Sequence, residues 1–466
     1  MRKETSPDPK IAGSFRDPSG FLFHHEGLIY RQINHFYRAH YDLLLQSGLY
    51  QRLVDAKLLI PHREVEKTQA VSDEAYKVIL PEQIPFISYP FEWSFGQLQD
   101  AALTTLQIQK IALEYEMSLK DASAYNIQFW RGRPVLIDTL SFEKYRVGEP
   151  WVAYRQFCQH FLAPLALMAY RDVRLNQLLR VYVDGIPLDL AHTLLPWCTL
   201  LRPSLLMHLH LHAKSQKHFG DKTVRPSAQS FGRTAFLGLI DSLESGVRRL
   251  VWEPQGTEWA DYYQKTNYVE ESAVHKKEVV TRYLEKVRPS MVWDLGANTG
   301  FYSRLASAQK IPTVAFDLDT AVVEINYQQC RKQSEEHLLP LILDLTNPSP
   351  ALGWGNEERM TLAERGPVDL ILALALVHHL AISNNLPLGH IASYFSRLTR
   401  YLVVEFIPKM DSQVQKLLRT REDIFSRYNR ESFEIDFAPY FSILEAVKIR
   451  GSERILYLMQ SLHDFK

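Results

Sequence analysis

The chain has 466 residues, of which 46% are hydrophobic, so it is long enough and apolar enough to form two or three domains with their own cores. Basic and acidic residues number 53 each, so no net charge draws the protein to nucleic acid, although a local basic patch stays open. The three cysteines are far apart, the first residues lack an apolar signal sequence, and no uncharged run approaches ~20 residues, so we expect a cytoplasmic protein that makes no use of membranes.

The first 220 residues predict an α+β domain. Apolar runs on both sides of His25-Glu26-Gly27 indicate a β-hairpin over 21–33. Further along we expect an amphipathic helix over 36–57, strands near 76–80 and 84–89, a helix over 95–117, a turn at 131–133 and a strand over 134–138.

Three polar residues stand in a suggestive order within this domain. Asp121 is followed five residues later by Asn126 and, after a hairpin, by Asp138. This order is similar to the catalytic segment of kinase-like phosphotransferases such as aminoglycoside and choline kinases, and the resemblance implies a base followed by two metal ligands. The sequence departs from that family where Leu119 replaces a histidine, where Arg31 replaces the expected lysine, and where no glycine-rich phosphate loop precedes the hairpin.

Two interpretations of this segment follow. The acids can be structural, with Asp121 capping a turn and Asp138 ending a strand. If the kinase-like fold is present, we expect it to serve binding or scaffolding rather than phosphotransfer.

The middle of the chain predicts helices. Residues 151–170 place apolar side chains at three- and four-residue steps, with Pro164 as a break or kink. His208 and His212 would share a helix face, which is the spacing of a zinc pair, but neither an acid nor a cysteine lies near them, so we expect no metal. Residues 221–254 predict a linker followed by a helix near 230–250.

A second domain is expected over 255–466. An apolar strand ends at Asp294 and runs into a turn of small residues, Gly296, Asn298 and Gly300. Apolar strands recur about every 25 residues, and two final strands flank a turn at 450–453. The expected strands cover 312–319, 339–345, 368–377, 400–406, 441–449 and 454–459. This pattern is typical of an α/β fold with a doubly wound, mostly parallel sheet of seven strands.

The segments Asp-Leu-Gly-Ala-Asn-Thr-Gly (294–300), Phe-Asp-Leu-Asp (316–319) and Leu-Asp-Leu-Thr (343–346) resemble the successive motifs of class I S-adenosylmethionine-dependent methyltransferases. The resemblance implies that S-adenosylmethionine is the cofactor. Its methionine part would lie over Gly296 and Gly300 with its amino group near Asp294, its ribose at Asp317 and its adenine at Asp344.

Each of these assignments has an alternative. Asp317 or Asp319 could be only a helix cap, and Asp344 only the first residue of a turn. Asn298 stands where the family often has glycine, but asparagine tolerates left-handed backbone well enough to keep the turn. A dehydrogenase turn would need the spacing Gly-x-Gly-x-x-Gly, which is absent from this sequence.

Candidates for catalysis follow the fourth and fifth strands. His378 and His379 come directly after the fourth strand, and Glu405 ends the fifth. Any of the three could be the general base, and each could equally have only a structural role. Four aromatic residues before the first strand could line the substrate pocket or pack in the core: Trp259, Tyr262, Tyr263 and Tyr268.

The sequence therefore predicts a methyltransferase that acts on an oxygen or nitrogen atom. Residues 121–129 and 151–158 are also similar to bacterial proteins grouped with a nodulation-associated methyltransferase, which implies a small-molecule or saccharide substrate. The alternatives are a non-catalytic binding or regulatory protein with two degenerate domains, and a bifunctional enzyme that also uses ATP. The oligomeric state is left open.

Overall fold

The structure, a computed structural model, describes residues 10–211, 232–254, 270–419 and 422–465. The chain forms two compact units. The first takes in Met1–Glu253 together with the short segment Ala351–Arg359, and the second takes in Pro254–Pro350 and Met360–Lys466.

The first unit contains a four-stranded antiparallel sheet in the order β1-β2-β4-β3. The predicted hairpin is confirmed, with positive φ at both Glu26 and Gly27, as a tight turn between antiparallel strands requires. The strands of this sheet are β1 (Gly20–His25), β2 (Leu28–Asn34), β3 (His62–Val65) and β4 (Ala75–Pro81).

Two expectations for this region are wrong. The single helix expected over 36–57 is two helices, α1 (Arg38–Gln46) and α2 (Leu49–Asp55), because Gly48 adopts φ +85° and ends the helical path. The strand expected over 84–89 does not form. The side chain of Gln128 accepts a hydrogen bond from the N–H of Ser88 at 2.8 Å and donates one to the carbonyl of Ser88 at 2.9 Å. These backbone groups are therefore paired without a neighbouring strand.

A long helix and two short strand pairs follow. Helix α3 begins at a capping box in which Ser94 and Gln97 exchange hydrogen bonds, and it is buried along most of its length. The hairpin β6–β7 carries the predicted turn, where Arg131 and Gly132 have positive φ. These elements are α3 (Phe95–Glu114), β5 (Met117–Leu119), β6 (Ile127–Trp130), β7 (Arg133–Leu136) and β8 (Phe142–Lys144).

After β8, the described residues of the first unit up to residue 254 are mainly helical, as predicted. A π-helical stretch, Cys158–Leu162, interrupts the helix expected over 151–170, and Pro164 then lies in the first turn of α5, where a missing N–H is tolerated. The helices are α4 (Tyr154–Phe157), α5 (Ala163–Tyr170), α6 (Leu178–Val181), α7 (Leu188–Leu194), α8 (Pro203–Leu205) and α9 (Arg233–Arg248).

The second unit contains the predicted seven-stranded sheet, in the order β11-β10-β9-β12-β13-β15-β14. The first five strands in this order are parallel, and β15 pairs antiparallel with both of its neighbours. The strands are β9 (Val292–Leu295), β10 (Thr313–Asp317), β11 (Leu338–Ile342), β12 (Val368–Ala373), β13 (Thr399–Phe406), β14 (Phe441–Lys448) and β15 (Ile455–Ser461).

Helices join and cover these strands. Tyr283 and Leu284 of α10 pack with Val292, Leu370 and Val403 from three strands into one buried cluster. The helices are α10 (Glu270–Val287), α11 (Ser303–Ser307), α12 (Thr320–Gln333), α13 (Leu388–Leu398), α14 (Ser412–Leu418) and α15 (Arg430–Phe437). Parallel pairing brings the carboxyl ends of β9, β10, β12 and β13 to one edge of the sheet, where ligands bind in open α/β folds.

Among the residues that the structure describes, no helix combines the length and the apolar character that crossing a membrane requires.

Candidate functional site

The turn after β9 contains three residues with left-handed backbone conformations. Gly296, Asn298 and Gly300 have φ values of +74°, +51° and +80°. A Cβ at position 300 would lie 2.6 Å from Nδ2 of Asn326, so only glycine fits there. Asn298 adopts the left-handed conformation that its side chain tolerates, and the turn therefore forms without a glycine at that position.

Asp294 lies buried at the end of β9. The residue is 2% exposed, and its Oδ2 accepts a hydrogen bond from the Ser303 hydroxyl at 2.6 Å. Burial raises the pKa of Asp294 to about 7, and the nearby charge of Asp317 raises it too, while Ser303 and Lys276 act in the opposite direction. Asp294 is therefore a carboxylate whose ionisation a cationic ligand would favour.

Asp317 holds the turn from the neighbouring strand. Its Oδ2 accepts the N–H of Asn298 at 2.8 Å, and its Oδ1 accepts the N–H of Asp319 at 2.9 Å. Burial raises the pKa of Asp317 to about 6, despite these two hydrogen bonds. Asp319 is the residue that caps α12, through the N–H of Ala321 at 2.8 Å, so Asp317 is not needed as a cap.

Asp344 follows β11 and is partly exposed. Its Oδ1 accepts both the N–H of Thr346, at 2.8 Å, and the hydroxyl of Thr346, at 2.6 Å. The turn-opening role is therefore present, and a contact with adenine stays a prediction.

The donor set at this edge suits a cationic ligand rich in hydroxyl groups. Asp294 and Asp317 lie close enough for the charge of Asp317 to raise the pKa of Asp294, and the turn between them offers bare backbone. Two neighbouring carboxylates would repel a phosphate group, whereas the ammonium and ribose hydroxyls of S-adenosylmethionine would donate to them. The residues present thus fit the cofactor that the resemblance implies.

His378 and His379 lie beyond the end of β12. His378 is 1% exposed, and its Nδ1 has no hydrogen-bond partner among the described residues. Burial lowers the pKa of His378 well below its usual range, and the charges of His379, Arg454 and Lys276 lower it further. Burial also lowers the pKa of His379 to about 4. Both imidazoles are therefore neutral at physiological pH.

Glu405 lies at the centre of a buried charge network. Its Oε2 accepts from Lys276 Nζ at 2.7 Å and from the N–H of Ala375 at 2.8 Å, and its Oε1 lies 3.6 Å from Arg454 Nη1. Arg454 in turn donates to both oxygens of Asp411, at 2.7 and 3.1 Å. The side chain of Glu405 is fully buried. The sequence indicated Glu405 as a candidate general base or a structural residue, but it indicated none of these partners.

Ala375 links this network to the two histidines. It has φ +50°, which is strained for a residue with a Cβ, and its N–H donates to Glu405. The network therefore holds the backbone that leads from β12 to His378.

The three polar residues predicted in the first unit come together. Asp138 is paired with Arg31 of β2, and its Oδ2 accepts from Ser141 Oγ at 2.6 Å. Asp121 accepts from the N–H of Ser123 at 2.9 Å and thus caps a turn. Burial raises the pKa of Asp121, and the neighbouring charge of Asp138 raises it further.

Some predicted residues lie outside the described part of the chain. They are Trp259, Tyr262, Tyr263, Tyr268 and His212. His208 is described, and its two ring nitrogens lie 2.8 Å from the Tyr154 hydroxyl and 2.9 Å from the Ser242 hydroxyl. These contacts link neighbouring helical segments of the first unit. The described residues contain no cluster of three or more His, Cys, Asp or Glu that could hold a metal.

No protein-family model matches the chain. It is 34% identical to nodulation protein NoeA of Rhizobium meliloti strain 1021, over 98% of this chain and 97% of that protein.

Among solved structures, the bifunctional kinase-methyltransferase WbdD is 12% identical, with 47% of this chain and 46% of WbdD covered, at a TM-score of 0.30. The N-methyltransferase NodS of Bradyrhizobium japonicum WM9 is 9% identical over 42% of this chain and 98% of NodS, also at 0.30. An Aquifex aeolicus S-adenosylmethionine-dependent methyltransferase is 15% identical over 43% of this chain and 98% of that protein, at 0.29. Likeness at this level does not bear on activity.

Proposed function

We propose that this chain, which belongs to the family of the nodulation protein NoeA, transfers a methyl group from S-adenosylmethionine to an oxygen or nitrogen of a small-molecule or saccharide acceptor. One observation carries the proposal. Two buried carboxylates with raised pKa values, Asp294 and Asp317, flank a left-handed turn at the carboxyl ends of adjacent parallel strands.

Each cofactor contact is assigned to a residue of the second unit. Asp294 would pair with the ammonium, Asp317 would accept from the ribose hydroxyls, and Asp344 would accept from the adenine amino group. The backbone at Gly296 and Gly300 would pass beneath the methionine part. The cofactor supplies a methyl group made electrophilic by its sulfonium.

The methyl acceptor is assigned to the carboxyl end of β12, the strand that pairs with β9. His378 is neutral and buried, and its Nδ1 has no hydrogen-bond partner in the described chain. This nitrogen can therefore accept a hydrogen bond from the O–H or N–H group that is to be methylated. Its lowered pKa makes it a weak base, so it would orient the acceptor and take the proton only as the new bond forms.

Glu405 is assigned a supporting role. A carboxylate paired with a buried lysine is poorly suited to accept a substrate proton, because protonation would leave Lys276 without its counter-ion. We therefore assign Glu405 to holding the turn at Ala375, and His379, which is less buried, to the wall of the acceptor site.

Titration calorimetry with S-adenosylmethionine tests the cofactor. Wild-type protein and Asp55→Asn, a change at an exposed residue of the first unit, should bind it equally, and Asp317→Asn should bind it much more weakly. Absence of any binding heat in folded wild-type protein would refute the proposal. Transfer of a tritiated methyl group to a small-molecule or saccharide fraction tests the activity, and cofactor binding with no transfer to any fraction would favour the non-catalytic alternative.

A further inference from the structure

Arg31 and Asp138 form an ion pair inside the first unit. The Nη1 of Arg31 lies 2.5 Å from Oδ1 of Asp138, and the side chains are only 11% and 13% exposed. Arg31 comes from β2 of the four-stranded sheet, whereas Asp138 follows the hairpin β6–β7. The contact therefore ties the sheet to the segment that resembles a phosphotransferase catalytic loop.

Both oxygens of Asp138 are satisfied by groups of the chain itself. Besides Arg31, Oδ1 accepts the N–H of Leu140 at 3.0 Å, and Oδ2 accepts the hydroxyl of Ser141 at 2.6 Å. The amide of Asn126 donates to the same Ser141 hydroxyl, at 3.3 Å. Asp138 and Asn126 are thus hydrogen-bonded to one another through Ser141.

Asp121 is held in a similar way. Its Oδ1 accepts the N–H of Ser123 at 2.9 Å and the side-chain amide of Gln156 at 2.8 Å. Two carboxylates and an amide are the oxygen ligands that a magnesium ion would use. In this cluster, however, the positive charge beside Asp138 already comes from a guanidinium, which does not lose its proton.

We infer that the guanidinium of Arg31 takes the place of the metal that the kinase-like resemblance implies, so that the first unit binds no magnesium-nucleotide. A metal ion at Asp138 would have to displace Arg31 and leave a largely buried guanidinium without its counter-ion. The residues present therefore do not fit the metal. The inference concerns the first unit alone and does not depend on methyl transfer.

The test uses the full chain, with manganese as a spectroscopic probe and magnesium-ATP as the nucleotide. In wild-type protein, neither should raise the melting temperature, and manganese electron paramagnetic resonance should detect no bound ion. Arg31→Met removes the charge and keeps an apolar stem. This variant should show bound manganese under the conditions in which wild type shows none, a gain in affinity of about tenfold or more, because Asp138 then lacks the cation beside it.

Two further variants serve as controls. Arg31→Lys keeps the charge and should behave as wild type, whereas Arg31→Met combined with Asp138→Asn should again bind no manganese. If Arg31→Met does not fold, Arg31→Gln replaces it. A melting-temperature rise of wild-type protein with magnesium-ATP that Asp138→Asn abolishes would overturn the inference. So would a folded Arg31→Met or Arg31→Gln protein that takes up no manganese.

Discussion

The Nζ atom of Lys276 lies 2.7 Å from Oε2 of Glu405, and the two side chains are 3% and 0% exposed. Lys276 comes from α10 and Glu405 from the end of β13, 129 residues further along the chain. The same Glu405 oxygen accepts the N–H of Ala375, so the ion pair sets the path of the backbone before His378.

Breaking this ion pair should destabilise the second unit strongly. Glu405→Leu would leave Lys276 as a buried charge with a lost partner, and we expect a loss of about 3–5 kcal/mol in the free energy of unfolding. Urea denaturation measures this loss, and amide exchange at Ala375 should speed up in parallel. Glu453→Gln is the matched control because its pair with Lys448 is exposed, and its cost should be below about 1 kcal/mol.

Adding Lys276→Met to Glu405→Leu should recover part of the lost stability, because the double variant has neither charge of this pair. Equal stability losses for Glu405→Leu and Glu453→Gln would contradict a central role for the network.

Cofactor binding should depend on pH through Asp294. Burial raises the pKa values of Asp294 and Asp317 to about 7 and about 6, so the folded protein keeps protons that the unfolded chain releases near pH 4. The contribution of these two acids to the free energy of unfolding is therefore full below about pH 4 and is lost as the pH rises through 6 and 7.

Cofactor binding has the opposite effect on Asp294. The ammonium of S-adenosylmethionine beside Asp294 favours its ionised form, so binding should release a proton.

The affinity for S-adenosylmethionine should therefore rise between about pH 5 and 7, by up to roughly tenfold per pH unit for each proton released. Calorimetry in two buffers of different ionisation enthalpy counts the released protons. Asp294→Asn should bind more weakly and lose this part of the pH dependence. A wild-type affinity that is constant over this range would contradict the assignment of Asp294.

Asp317→Asn should weaken cofactor binding by about 10- to 100-fold, because hydrogen bonds to a charged group are worth about 1.5–3 kcal/mol. Its two contacts with the backbone N–H groups of Asn298 and Asp319 also hold the turn, so the loss should exceed that of Asp344→Asn, whose bonds close only its own turn. Calorimetric titration of both variants decides the order. A larger loss for Asp344→Asn would refute the view that Asp317 contributes more to cofactor binding than Asp344.

The strands of the second unit were predictable because parallel strands, covered on both faces, are continuous apolar runs, and acids mark where several of them end. The left-handed conformation of Asn298 was expected because the residue stands where the methyltransferase family often has glycine, and asparagine tolerates that conformation. The network around Glu405 could not be predicted, since nothing local in the sequence pairs Lys276 with a glutamate 129 residues away. The strand expected over 84–89 was wrong for a similar reason. The backbone N–H of Ser88 donates to the side chain of Gln128, which lies 40 residues away in the sequence.

The histidines should stay neutral across the physiological range. Burial lowers the pKa of His378 well below its usual range and that of His379 to about 4. In the unfolded chain both histidines are protonated near pH 6.5, whereas in the folded protein they stay neutral to a lower pH. Their contribution to the free energy of unfolding is therefore present above pH 6.5 and is lost as the pH falls towards 4. Nuclear magnetic resonance of the imidazoles should show no titration of either between about pH 5.5 and 8, and a midpoint near 6.5 for His378 would contradict its burial.

Replacing His378 should separate cofactor binding from methyl transfer. His378→Gln should leave the affinity for S-adenosylmethionine within about twofold and slow methyl transfer by about 100-fold or more, the range typical of a lost proton acceptor. His379→Gln should have a smaller effect on the rate. A His378→Gln protein with an unchanged rate of tritiated methyl transfer would remove His378 from the acceptor site.

Gly300→Ala should damage the turn more than its backbone angle alone explains. Gly300 and Gly27 have nearly equal φ values, +80° and +77°, so alanine at either position carries a similar cost of about 1 kcal/mol for left-handed backbone. At Gly27 an added Cβ meets nothing within 4 Å, whereas at Gly300 it would lie 2.6 Å from Asn326 Nδ2, whose side chain also accepts from Arg304. We therefore expect a loss of about 2–4 kcal/mol for Gly300→Ala in urea unfolding, together with weaker binding of S-adenosylmethionine, and only the smaller loss with unchanged binding for Gly27→Ala. Equal effects of the two substitutions on stability and on cofactor affinity would show that close packing under the turn is not what requires glycine at position 300.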